Sequence, residues 1–95
     1  MLPVLFDEMY DDKDTELQKL GYEAYSVKKL IRKGHRLKTD YSVIKYADIN
    51  RMILVTEEGD NFRGCRENNI PCLLLDQNPD IKLIEKKLKK FSKLR

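Results

Sequence analysis

Acidic side chains recur where they can do chemistry. Asp7 and Glu8 directly follow the short apolar run Val4-Leu5-Phe6, Asp40 opens an amphipathic stretch, and Glu58 and Asp60 follow the apolar run 52–56. Carboxylates gathered on one rim repel one another unless a cation lies between them, and an oxygen-only cluster is the ligand set that Mg2+ or Mn2+ takes. Asp7, Glu8, Asp40, Glu58 and Asp60 are therefore the candidate cluster. Competing chemistries find little support. His35 stands alone and reads as an exposed loop residue. Cys65 and Cys72 lack a nearby His or second Cys pair, so they have neither zinc-ligand spacing nor the makings of a disulfide framework, and they read as small apolar core residues in a reducing cytoplasm.

The elements that must position these acids follow from the pattern. Residues 3–6 form a short apolar run that suits a fully buried strand. Asp11 to Asp14 offer caps for a helix carrying Leu17 and Leu20, and Gly21 sits where a helix stop is expected. Residues 22–27 favour a strand. Residues 28–38 hold six Lys/Arg around Gly34 and read as an exposed basic loop. Thr39 or Asp40 caps a helix to about residue 50 with Val43, Ile44 and Ala47 on its core stripe. Residues 52–56 are the next strand. Asp60 or Asn61 caps a short helix to about residue 68, and 72–75 form the last strand. Asn78 as cap and Pro79 as first helical residue open a basic C-terminal helix at about 79–93, with Ile81, Ile84, Leu88 and Phe91 on one face.

Strands alternating with helices predict a three-layer α/β/α domain with a mainly parallel four-stranded sheet. The simplest doubly wound order is 2-1-3-4, which makes strands one and three neighbours at the point where the winding reverses. Functional groups gather there, at the carboxyl ends of the strands. Asp7, Glu8, Glu58, Asp60 and Asp40 then share one rim. Mutual repulsion across it predicts that Asp7→Asn raises the melting temperature in chelator.

Composition narrows the partners. Ninety-five residues, 41% apolar, make a single domain, 1–95, that buries roughly 60–65% of its unfolded surface and has a modest reserve of stability. A partner chain, including a second copy in a homodimer, would add to it. The net charge is +3, but residues 7–16 hold six acids against one lysine, while residues 82–95 hold seven Lys/Arg against one acid. That asymmetry points to a polyanion. Lys82, Lys86, Lys89 and Lys93 form a stripe on the last helix, and Lys28, Lys29, Arg32, Lys33, Arg36 and Lys38 offer phosphate contacts from the basic loop, with Tyr25 and Tyr41 as stacking candidates. No secretory signal and no 18-residue apolar run is present, so neither export nor a membrane partner is expected.

The segments "LFDE", "LGYEAYSV", "TDYSVIKYADINRMILVTEEGDNF" and "IPCLLLD", covering residues 3 to about 76, resemble the PIN-like domains, in particular the short prokaryotic PIN-like proteins of toxin–antitoxin pairs. The resemblance implies a Mg2+- or Mn2+-dependent nuclease acting on RNA, with an antitoxin protein as partner. It matches Asp7, Asp40 and Glu58 to the three acid positions of the family, with Asp60 as a fourth. Glu58 departs from the family's Asp, and the chain is shorter than typical members. In this scheme Asp7, Asp40 and Asp60 ligate metal, Glu58 ligates or positions water, and Thr56 supports the rim by hydrogen bonding.

Other readings attach to the same residues. Asp40 and Asp60 stand where helix caps are expected, and Asp11, Asp12 and Asp14 suit solvated turns and caps. A phosphoacceptor signalling domain would need an Asp after a middle strand and a Lys after the last, and the second strand runs instead into Val27-Lys28. A catalytically weak or inactive PIN-like module that binds nucleic acid or protein is the main alternative.

Overall fold

Residues 2–10, 12–75 and 79–91 are described by a computed structural model. Strand β1 (Val4–Phe6) is buried at all three positions because it lies inside the sheet with a helical layer over each face. It pairs in parallel with β2 (Ala24–Ser26) on one side and β3 (Ile53–Thr56) on the other, and β3 pairs in parallel with β4 (Cys72–Leu74). The order is β2-β1-β3-β4, so the winding reverses between β1 and β3 as the strand and helix pattern predicts.

Alternation along the strands sorts the core into two layers. Val4, Phe6, Ile53 and Val55 face α1 (Lys13–Lys19) and α5 (Ile81–Leu88), where Leu17, Ile84 and Leu88 are fully buried. Leu5 and Leu54 face α2 (Val27–Arg32), α3 (Asp40–Ile49) and α4 (Gly59–Glu67), through Val27, Leu30, Val43, Ala47 and Cys65. Cys65 and Cys72 meet in this layer as free, buried thiols. Their mutual hydrogen bond, with burial, holds the Cys72 thiol above its usual range.

Several elements differ from the sequence expectation. The stretch expected as a basic loop opens with helix α2. Val27 and Leu30, three residues apart, reach the core while Lys28 and Arg32 stay outside, and Ser26 caps the turn by accepting the Lys29 N–H at 3.3 Å. Only residues 33–39 form the loop, with Gly34 at φ 102°. In α1, Leu17 is buried but Leu20 is 47% exposed, because it is already the helix C-cap, followed by Gly21 at φ 94°. Helix α5 is capped by Asp80, which accepts the Lys82 N–H, and Pro79 precedes it. The proposed cap Asn78 lies outside the described residues, as do Asp11 and Lys93. Among the described residues no helix is long and apolar enough to cross a membrane.

Candidate functional site

Asp7 occupies the place where β1 ends beside β3. Its N–H continues the sheet ladder to the Val55 carbonyl at 3.0 Å, and its side chain turns inward, leaving the residue 7% exposed. A buried carboxylate is costly unless its oxygens are satisfied. Here Oδ1 accepts the Glu8 N–H at 2.9 Å, while Oδ2 accepts the Thr56 hydroxyl at 2.9 Å and the Asn61 Nδ2 at 3.0 Å. Thr56, fully buried at the end of β3, also accepts the Glu58 N–H at 3.1 Å. One hydroxyl thus ties β3, the start of α4 and the Asp7 carboxylate together.

The backbone after Asp7 is fixed from the other side. Residues Glu8–Tyr10 make a 3-10 turn, the Tyr10 N–H donates to the Asp7 carbonyl, and the buried Tyr10 hydroxyl crosses the rim to the Leu75 carbonyl at 2.9 Å. Glu8 remains exposed.

The helix starts place the remaining acids. Thr39 is the N-cap of α3, in a reciprocal capping box with Ser42, so Asp40 is the first helical residue and caps nothing. Glu58 is the N-cap of α4 but makes no side-chain cap bond. Asp60 lies in the first turn, 83% exposed, 3.5 Å from Arg63. Asn61, expected as a cap, turns inward to Asp7 instead. The capping explanation for Asp40 and Asp60 therefore falls away, leaving only the mild favour a helix N-terminus gives to an acid.

These carboxylates act on one another. Loss of hydration, followed by the charges of Asp40, Asp7, Glu57 and Asp60, pushes the Glu58 carboxyl above its ordinary value of 4.5. A raised value means that the folded chain holds this proton more tightly than the unfolded one. The contribution favours folding below the unfolded value and is lost as pH rises through the folded value. In chelator, Glu58→Gln should match wild-type melting near pH 4 and exceed it near pH 7, by less than about 1 kcal/mol because the side chain is solvent-screened. Parallel melting curves at both pH values would deny the repulsion.

The side chains around Asp7 offer carboxylate, hydroxyl and amide oxygens, the kind of ligand that suits Mg2+ or Mn2+, with the Met9 sulfur close by, accepting the Glu57 N–H at 3.4 Å. Asn61 is 1% exposed and its Oδ1 has no hydrogen-bond partner. Yet among the described residues no three His, Cys, Asp or Glu side chains stand close enough to hold a metal ion. The donors fit the ion in kind, although the described acids do not form a closed set of three.

The basic residues divide. Lys28, Arg32, Lys33, Arg36 and Lys38 are exposed on the α2 side of the sheet. Lys29 is tied internally, its Nζ donating to Asp14 Oδ1 and Oδ2 at 3.0 and 2.9 Å and to Thr15 Oγ1 at 2.9 Å. Asp14, expected as a solvated turn or cap residue, is 3% exposed at its side chain because of this pair. Lys82, Lys86 and Lys89 are exposed on the opposite layer, and the α5 end at Lys90 and Phe91 borders residues 69–71, which precede β4. The end of that stripe lies at the edge of the sheet away from Asp7.

Sequence reasoning missed Asn61 as a site residue. The signal was its spacing of four from Cys65, which puts a polar amide on the buried face of an amphipathic helix.

The fold and rim define a small doubly wound parallel α/β domain whose β1–β3 rim carries one hydrogen-bonded, buried aspartate and several exposed carboxylates. No protein-family model matches the chain, and no curated protein or solved structure matches it either.

Proposed function

We propose that this protein is a metal-dependent ribonuclease of PIN-like type that cleaves single-stranded RNA, acting as the toxin of a toxin–antitoxin pair. The observation that carries the reading is the Asp7 carboxylate, buried at the winding reversal and oriented by Thr56 and Asn61, with an unpartnered amide oxygen beside it. Asp7, Asp40, Glu58 and Asp60 would hold Mg2+ or Mn2+, which when bound supplies an activated water and stabilises the leaving oxygen of a phosphodiester. Thr56 and Asn61 fix the Asp7 oxygens so that no reorientation is needed on binding. Asp40, Glu58 and Asp60 are exposed, and Asp60 would have to leave its pair with Arg63 to join the set. Lys28, Arg32, Lys33, Arg36 and Lys38 lie on the same layer as α3 and α4 and suit the phosphates of an approaching strand.

That no three acids among the described residues stand close enough to hold a metal ion favours a second reading, a catalytically silent PIN-like module that binds RNA or protein through the same surfaces. Mn2+ separates the two. At about 100 times its dissociation constant it should stabilise wild type by roughly 2.7 kcal/mol. Asp40→Asn and Asp60→Asn, both at exposed positions, should fold normally, respond less to Mn2+ and lose Mn2+-dependent cleavage of a single-stranded RNA. Absence of any Mn2+ effect on wild-type melting, with no cleavage, would leave the binding module.

A further inference from the structure

Helix α3 begins at the acid rim with Asp40, and the next side chain, Tyr41, is 71% exposed. A tyrosine that contributed to the core would hide its ring; this one presents it. The ring stands at the mouth of a groove of about 390 Å³ between α3 and α4, lined by Tyr41, Ile44, Lys45, Asp48, Gly64 and Asn68. The Lys45 ammonium lies over the ring, 5.7 Å from its centroid, so one aromatic face carries a positive charge and the other is the one a base can reach. Asn68 donates its amide to the Gly64 carbonyl at 2.7 Å, leaving its Oδ1 to accept.

Gly64 keeps the groove open. A Cβ there would meet Ile44 Cδ1 at 2.9 Å, so any larger residue forces Ile44 aside or fills the space. An exposed aromatic ring with a cation over it, an apolar wall at Ile44 and the polar side chains of Asp48 and Asn68 are together features with which proteins seat the bases of single strands. The groove's size is within the range of small-ligand sites. The ring is one residue from Asp40, the first residue of the helix.

We propose that the α3–α4 groove is a base-binding subsite for single-stranded RNA, in which one base stacks on Tyr41 and Lys45 meets the neighbouring phosphate. The assignment rests on the ribonuclease reading for its choice of ligand, but it concerns binding and needs no metal.

The test is fluorescence anisotropy of a labelled single-stranded RNA in chelator, where cleavage plays no part. Tyr41→Ala should weaken binding about tenfold, the usual scale for one lost base–aromatic stack, and Tyr41→Phe should bind as wild type. A strand of the same length whose sugars carry no bases should bind wild type and Tyr41→Ala equally weakly, a signature that a general loosening of the protein would not give. Gly64→Ala should also weaken binding of the normal strand. Equal affinity of wild type and Tyr41→Ala for the normal strand would overturn the subsite while leaving the ribonuclease reading intact. Tenfold loss without any Mn2+-dependent cleavage would keep the subsite and remove the nuclease. No RNA binding by wild type would overturn both.

Discussion

Lys29→Met lowers the stability of the fold by about 3 kcal/mol, seen as a fall of at least about 10 °C in melting temperature. The reason lies in the unequal burial of the pair. The Asp14 side chain is 3% exposed, that of Lys29 33%, and the Lys29 ammonium directs one hydrogen to each carboxylate oxygen and one to Thr15. Removing the cation leaves a desolvated carboxylate with no opposite charge, and that penalty exceeds the net worth of the intact pair. Taking the pair away together, in Asp14→Leu with Lys29→Met, should recover most of the loss. A thermal or urea melt of the two variants decides it. A single-mutant loss within about 0.5 kcal/mol would mean that water reaches Asp14.

Asp7→Asn in chelator destabilises by about 1–3 kcal/mol, read as a fall of about 5–15 °C. Acid crowding alone leads to the opposite expectation, because neutralising one of several like charges relieves repulsion. The geometry reverses it. Three donors converge on Asp7: the Glu8 N–H, the Thr56 hydroxyl and the Asn61 amide. An asparagine supplies only one acceptor oxygen, so whichever way its amide turns, an NH2 group faces at least one of these donors in a site 7% exposed. Relief of repulsion is the smaller effect, since Glu58 and Asp60, two of the acids opposite, are exposed and solvent-screened. A rise in melting temperature would show that repulsion dominates and that the hydrogen bonds contribute little.

The two cases differ in how visible they were along the chain. Asp7 was legible as a candidate-site residue because it follows an apolar run that had to be a buried strand. The 2-1-3-4 order was legible because strands alternating with helices leave few ways to wind a four-stranded sheet. Helix α2 was not legible: six Lys/Arg in residues 28–38 mask the single apolar edge, Val27 and Leu30, that carries it onto the sheet. Long basic side chains can keep their charge in water while a helix buries very little, so composition misled where two contacts decided.

By itself the sequence determined the short continuous apolar runs, a helix start at Thr39 or Asp40, the helix stop at Gly21 and the charge asymmetry, since each depends on neighbours a few residues away. Only the tertiary structure decided that Asn61 serves Asp7 rather than its own helix, that Asp14 is buried against Lys29, and that Tyr41 lines a groove with its ring exposed under the Lys45 ammonium. These are outcomes of partners 54 and 15 residues apart, and of helix packing across the sheet. A polar side chain has several acceptable roles locally. Which one it takes is fixed by the partner that packing brings within hydrogen-bond distance and by the water that packing removes.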